Sequence, residues 1–190
     1  MKKSILLVIT TSLITTLLLF SCNSSSEPKE IVTNDKFKVQ IPGNMTPANN
    51  LNKEASMIYA HMRQEIYIMV IEDTFEEIKT AIIENDLEDE YSLGFDLFCE
   101  LVSNEEEDTF LVIDDRDKLK KTTINGLNAR FFEDSRKING VNIFYKIALI
   151  EGKDTYYQVI AWTVASRKDR HNTTLENMIY SFEELNSSNE

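Results

Sequence analysis

Along most of the chain, apolar positions recur with a period of two or of about 3.6, and the period changes at turn residues. Phe37-Lys38-Val39-Gln40-Ile41 alternates and stops at Pro42-Gly43, which predicts a strand. Met45–Lys53 is polar and loop-like. Ser56–Met62 and Glu65–Asp73 are rich in Ile, Val, Tyr and Met and predict two strands joined through Arg63-Gln64. In the second of them Tyr67, Met69 and Ile71 point one way and Ile66, Ile68 and Val70 the other. Both sides are apolar, so this strand belongs at the centre of a sheet covered on both faces. Thr74-Phe75-Glu76-Glu77 has the spacing of a capping box and opens a helix with Phe75, Ile78 and Ile82 along one side. Asn85–Glu90 interrupts it, and Tyr91, Phe95, Phe98 and Val102 then recur at helical spacing. Ser103–Asp108 is an acidic loop, and Phe110–Ile113 is too short to assign by pattern.

The C-terminal third has the strongest pattern. Lys118–Ile124, Leu127–Arg136, Val141–Glu151 and Thr155–Val164 predict four strands, joined at Asn125-Gly126, Asn139-Gly140 and Gly152-Lys153. Asn-Gly between alternating runs marks a tight hairpin, because both turn residues need positive φ. Ser166-Arg167-Lys168-Asp169 has the spacing of another capping box. Leu175, Met178, Ile179 and Phe182 follow as the apolar side of a closing helix. Strands grouped in hairpins, with helices between and after them, predict an α+β fold in which helices sandwich an antiparallel sheet.

Phe37–Pro42 opening the domain, the run Asn125-Gly126-Leu127-Asn128-Ala129 leading into a strand, the two hairpins that follow and the closing Ile179-Tyr180-Ser181-Phe182 resemble the PsbP-like α/β sandwich, shared by the DcrB-type envelope lipoproteins. The resemblance covers most of residues 35–184. It implies a sheet sandwiched by helices. Members of that family include photosystem assembly factors, a nuclear-transport cofactor and bacterial lipoproteins, and most bind without catalysing. The resemblance therefore implies a binding or assembly role and names no partner and no site residue.

The first 22 residues follow a different pattern. Lys2 and Lys3 precede an uncharged run, Ile5–Phe20, and Ser21-Cys22 closes it. A positive start, an apolar core and a small residue before the cut make a secretory signal. Leu19-Phe20-Ser21-Cys22 resembles the bacterial lipobox, in which a peptidase cuts before a lipid-modified cysteine. Phe20 departs from the usual small residue. As a membrane span the 16-residue run is short of the roughly 20 residues required, and five Ser and Thr dilute it. The expected organisation is a signal peptide over residues 1–21, a flexible tether over 22–34 beginning at lipidated Cys22, one domain over 35–185 and a disordered tail over 186–190. Several acyl chains on one cysteine anchor stably, since each buried methylene contributes roughly 0.8 kcal/mol. Asn23 is not the aspartate of the inner-membrane retention signal, which favours the outer membrane of a two-membrane bacterium.

Charge narrows the partners. Cleavage before Cys22 removes Lys2 and Lys3 and no acid, leaving 18 basic against 32 acidic residues and a formal net charge of −14. Such a surface disfavours nucleic acid and, on average, anionic headgroups. With Cys22 consumed by lipid, Cys99 has no partner for a disulfide and reads as a buried, inert thiol on an apolar helix.

Motifs for chemistry are sparse. His61 and His171 are far apart in sequence, and each reads as a solvated or hydrogen-bonded side chain. No His-Glu-x-x-His, Gly-rich phosphate loop or Gly-x-Ser-x-Gly elbow occurs. Glu105-Glu106-Glu107-Asp108 and Asp114-Asp115-Arg116-Asp117 lack the alternate spacing and glycine of a calcium loop and read as solvated faces. No catalytic residue, cofactor or metal site is implied.

Among the last strands, Val141, Ile143, Tyr145, Ile147 and Leu149, with Tyr157, Val159 and Ala161, read as one core set. The other set mixes Arg130 and Phe132 with Phe144 and Lys146 and with Tyr156, Gln158, Ile160 and Trp162. Aromatic residues interleaved with Arg, Lys and Gln suit recognition. Arg130, Phe132, Phe144, Lys146, Tyr156, Gln158 and Trp162 are therefore the candidate binding face. The expected role is a membrane-anchored envelope lipoprotein with a protein partner and no catalysis. A small-ligand or metal carrier is the alternative, and a hydrolase working with two carboxylates stands behind both.

Overall fold

The computed structural model describes residues 27–84, 94–104 and 119–185. Ten strands, β1 Pro28–Thr33, β2 Phe37–Pro42, β3 Thr46–Pro47, β4 Ala55–His61, β5 Ile66–Thr74, β6 Lys120–Ile124, β7 Leu127–Ile138, β8 Val141–Glu151, β9 Thr155–Val164 and β10 Glu183–Glu184, build two sheets. Three helices accompany them: α1 Phe75–Glu84, α2 Phe95–Asn104 and α3 Lys168–Tyr180, the last preceded by a 3-10 turn over Ala165–Arg167. The large sheet runs β3-β4-β5-β9-β8-β7-β6 and the small one β1-β2-β10, with every pairing antiparallel. The α+β class read from the pattern holds.

β5 lies inside the large sheet between β4 and β9, as its two apolar sides require. Ile66, Ile68 and Val70 join a core with Phe37, Val39 and Ile41 of the small sheet and Leu175, Met178 and Ile179 of α3. Met69, on the other side, joins Phe95, Phe98 and Val102 of α2, with Phe75 and Ile78 of α1 packed against them. The large sheet is thus covered on one face by α3 and the small sheet and on the other by α1 and α2.

The turns follow their residues. Asn125 and Gly126 have φ of 46° and 87°, and Asn139 and Gly140 have 48° and 85°, so both Asn-Gly pairs close hairpins in the left-handed region. Gly152 serves differently. A Cβ there would lie 2.6 Å from Cε2 of Tyr157 and 2.8 Å from the Thr155 carbonyl, so the residue permits close approach. At α1 the capping box forms: the Thr74 hydroxyl accepts from the Glu77 N–H at 3.2 Å, and the Glu77 carboxylate accepts from the Thr74 N–H at 2.8 Å.

Thr46–Pro47, inside the stretch read as a loop, is a short strand on β4, and Phe182 lies past the end of α3 at Tyr180; two further boundaries are corrected. Pro28–Thr33, assigned to the tether by its polar composition, is a strand paired with β2 from Pro28↔Pro42 to Thr33↔Phe37. Its sides alternate between exposed and half-buried, and Ile31 packs on the core. One apolar side chain and backbone pairing along one side suffice for an edge strand. The capping box at Ser166 does not form. A 3-10 turn takes its place, and α3 starts after Arg167 with no side-chain cap. The signal segment, Cys22, residues 85–93, both acidic clusters and the tail lie outside the described residues.

Candidate functional site

The candidate face does not exist as one surface. β8 pairs with β9 as Ile147↔Ile160 and Tyr145↔Trp162, and with β7 as Phe132↔Ile147. Directly opposed residues share a face. Odd positions of β8 therefore lie with even positions of β9, and the grouping of like positions on these strands is wrong. Arg130, Phe132, Tyr156, Gln158 and Trp162 lie toward α1 and α2. Phe144 and Lys146 lie toward α3, where Phe144 joins the core.

Five of the seven are also buried: Arg130, Phe132, Phe144, Lys146 and Tyr156. Tyr156 stacks on Phe98 at 4.5 Å between ring centres and meets Phe75 at 4.3 Å. The Arg130 guanidinium crosses the Phe95 ring and reaches Asp96 at 2.7 Å, pinning the start of α2 to the sheet. Lys146, 1% exposed, donates to Glu133 at 2.7 Å and Glu176 at 2.8 Å. Burial acts to lower its pKa, but the two carboxylates overcome that and raise it. Gln158 donates to Asp73 at 3.0 Å, and Trp162 stacks on Tyr67 at 5.0 Å, both half-buried. A two-layer cover on the sheet turns these aromatic and basic side chains into inter-layer packing. Cys99 is buried as expected, and burial pushes its thiol up to about 12, out of the range of a nucleophile.

A charge-bearing cleft lies elsewhere, at the end of the large sheet where β4 turns into β5 and β9 passes into α3. Its volume is ≈ 530 Å³, and Asn44, His61, Arg63, Gln64, Arg167 and Arg170 line it. The β4–β5 turn puts Glu65 at φ 56° and has the Gln64 N–H donating to Nδ1 of His61 at 3.2 Å. Arg167 is fixed: its Nη1 donates to the Arg63 carbonyl at 3.1 Å and its Nε reaches Glu65 at 2.9 Å. Arg63 and Arg170 are exposed and have no ion-pair partner among the described residues. No carboxylate lines the cleft.

His171 lies behind it, 4% exposed, with Nε2 unpartnered among the described residues. Burial lowers its pKa, the cations of Arg170 and Arg167 and the nearby His61 add to that, and the Gln64 backbone opposes it. Two histidines 110 positions apart thus meet at one end of the sheet. Sequence reading missed the cleft because strand pairing alone brings 61–64 to 167–170. The one local signal is Arg167-Lys168-Asp169-Arg170-His171, a basic run in an acidic chain. A guanidinium pair beside a carboxylate-free hollow suits a phosphate or carboxylate group.

A second cleft, ≈ 630 Å³, opens at the opposite end and is lined partly by Lys36, Phe75, Lys153 and Glu184. Of its lining residues, Lys36 is paired with Glu72 at 2.8 Å, and Glu184 accepts from the Lys153 backbone N–H at 3.1 Å and from Tyr157 at 3.1 Å. Among the described residues no three His, Cys, Asp or Glu are placed to hold a metal, and no helix is long and apolar enough to cross a membrane.

No family model and no curated protein matches the chain. Solved structures do. A crystal structure from Bacteroides thetaiotaomicron aligns with a TM-score of 0.51 and 8% identity, over 85% of this chain and 50% of that one. The chain thus spans about half of that protein, and the likeness is one of fold alone. The solution structure of cyanobacterial PsbP (CyanoP) from Synechocystis aligns with a TM-score of 0.41 and 11% identity, over 87% of this chain and 98% of that one. LpqN of Mycobacterium tuberculosis, a protein involved in cell envelope biogenesis, aligns with a TM-score of 0.43 and 12% identity, over 84% and 92%.

Proposed function

We propose that this chain is a lipoprotein of the cell envelope, acylated at Cys22, whose domain acts as a non-catalytic binding module and recognises an anionic group in the Arg63–Arg170 cleft. The observation that carries the reading is that cleft: two arginines without ion-pair partners among the described residues, beside a third held in place, around a hollow with no carboxylate in its lining. Three guanidiniums, of which that of Arg167 is held in place, match an oxyanion by charge and by planar donor geometry and are themselves neither base nor nucleophile. The leader ending in Ser21-Cys22 and the sequence resemblance to PsbP-like envelope lipoproteins support the location. Asn23 favours the outer membrane. An envelope protein with an acidic segment and a phosphate-bearing envelope component both carry a suitable group.

Fractionation tests the anchoring. The wild-type chain is expected in the membrane fraction, and Cys22→Ser is expected to leave it while keeping the wild-type melting temperature. A Cys22→Ser chain that stays on membranes contradicts the reading.

A further inference from the structure

We infer that the arginine cleft docks on the phosphate groups of the membrane that holds the chain, so that the domain rests with its tethered end against the bilayer. This rests on the anchoring of Cys22 proposed above and names the ligand of the cleft.

The first observation is where the chain enters the fold, at the start of β1. Pro28 pairs with Pro42, Asn44 lies two residues beyond Pro42 and lines the cleft, and Lys29 donates to the Met45 carbonyl at 2.6 Å. The tether therefore joins the domain at the end that carries the cleft. Five residues, 23–27, separate Cys22 from Pro28. At roughly 3.3–3.6 Å per residue, the anchored cysteine is at most about 20 Å from Pro28. An acylated Cys22 keeps this end within about 20 Å of the headgroups, and the Thr33 end of β1 lies a further strand length away.

The second observation is charge. The mature chain is strongly acidic, yet this end is not. Of its carboxylates, Glu65 is paired with Arg167, Asp134 with Arg136 and both Glu133 and Glu176 with Lys146, while exposed Asp169 and Glu27 equal Arg63 and Arg170 in number, so this end is near neutral where the chain as a whole is acidic. Arg63 and Arg170 stand beyond these pairs. Screening within about 8–10 Å makes contact-range charge count for more than the distant acidic end. Each arginine near an anionic bilayer surface gains about 1 kcal/mol, and a guanidinium matches a phosphate in two-point geometry.

The third observation is apolar exposure at the same end. Met62, next to Arg63 in the β4–β5 turn, is 58% exposed. Ile138 and Val141 flank the Asn139-Gly140 turn at 42% and 48% exposure, where Ile143 pairs with Val164 just before the 3-10 turn that leads to Arg167. Arginines with apolar side chains beside them suit the headgroup boundary, where the charge meets phosphate and the apolar atoms leave water. An acidic protein segment would use the arginines and leave Met62, Ile138 and Val141 in water.

The test uses the mature, lipidated chain in vesicles of phosphatidylcholine alone or with added phosphatidylglycerol. It reads flotation and backbone hydrogen exchange over 61–65 and 165–171. Flotation is expected on both compositions. Exchange over those segments is expected to slow by up to roughly thirtyfold on the anionic vesicles, the ratio that corresponds to two arginines near such a surface. The Arg63→Gln/Arg170→Gln double variant is expected to lose the slowing and keep flotation. Equal exchange on both compositions, with flotation intact, overturns the docking and leaves the anchor standing. Flotation only on anionic vesicles overturns the anchor and supports the docking. Inorganic phosphate or a polyglutamate peptide slowing exchange as much on phosphatidylcholine alone would show an anion site for a soluble ligand or a protein, and overturns the membrane as its source.

Discussion

Lys146 shows how a charged residue is kept inside this fold. Its stem crosses the core side of the sheet, and its ammonium emerges between Glu133 and Glu176, 5.4 Å from the Phe131 ring. Lys146→Ala removes packing and two charge-assisted bonds but leaves both carboxylates near water. It is expected to cost about 1–3 kcal/mol in urea unfolding. A raised lysine pKa contributes stability below the unfolded value of 10.5, and that is lost as pH rises through the folded value. His171 works in the opposite sense. Its folded pKa lies below 6.5, so the unfolded chain binds the proton better, and its contribution is full above 6.5 and lost as pH falls below it. Melting temperature is expected to fall with acidification below 6.5 more in the wild type than in His171→Gln. Equal slopes would contradict this. Cys99, pushed up by burial, is expected to react with thiol reagents only at the rate of unfolding.

At the scale of elements, local chemistry decided most boundaries. The capping box at Thr74 and both Asn-Gly turns form where their residues stand, and Thr74→Ala is expected to cost about 1 kcal/mol in thermal or urea unfolding. Gly152→Ala is expected to destabilise by about 1–3 kcal/mol, because the Tyr157 ring and the Thr155 carbonyl leave no room for a Cβ. What the sequence could not supply was pairing across the β8–β9 turn. Glu151 opposes Tyr156, so faces cross from odd to even, and a period of two carries no information about that offset. The same limit hid β1. Its single packed residue, Ile31, gives no alternating apolar run, and only the pairing with β2 makes the segment a strand. At α3 the spacing of a capping box was present without its hydrogen bonds, because the 3-10 turn took the place of the cap.

Across the whole molecule the acidic balance is uneven. Asp35, Glu54, Glu76, Asp154 and Glu183 are exposed at the end away from the tether, while Arg63, Arg167 and Arg170 mark the end where Pro28 enters the fold. The repulsion from anionic headgroups inferred from net charge concerns the average surface, not that end. Aromatic and basic residues alternate on the sheet, a pattern that suits recognition. In the fold those residues join the layers, and the cleft falls where three connections meet. The whole account depends on the chain being held at Cys22. Mass analysis of the N-terminal peptide of the mature protein, taken from its native membrane, tests that most directly. The account predicts a peptide that begins at Cys22 and carries acyl chains on it. A peptide that begins elsewhere, or an unmodified Cys22, would contradict it.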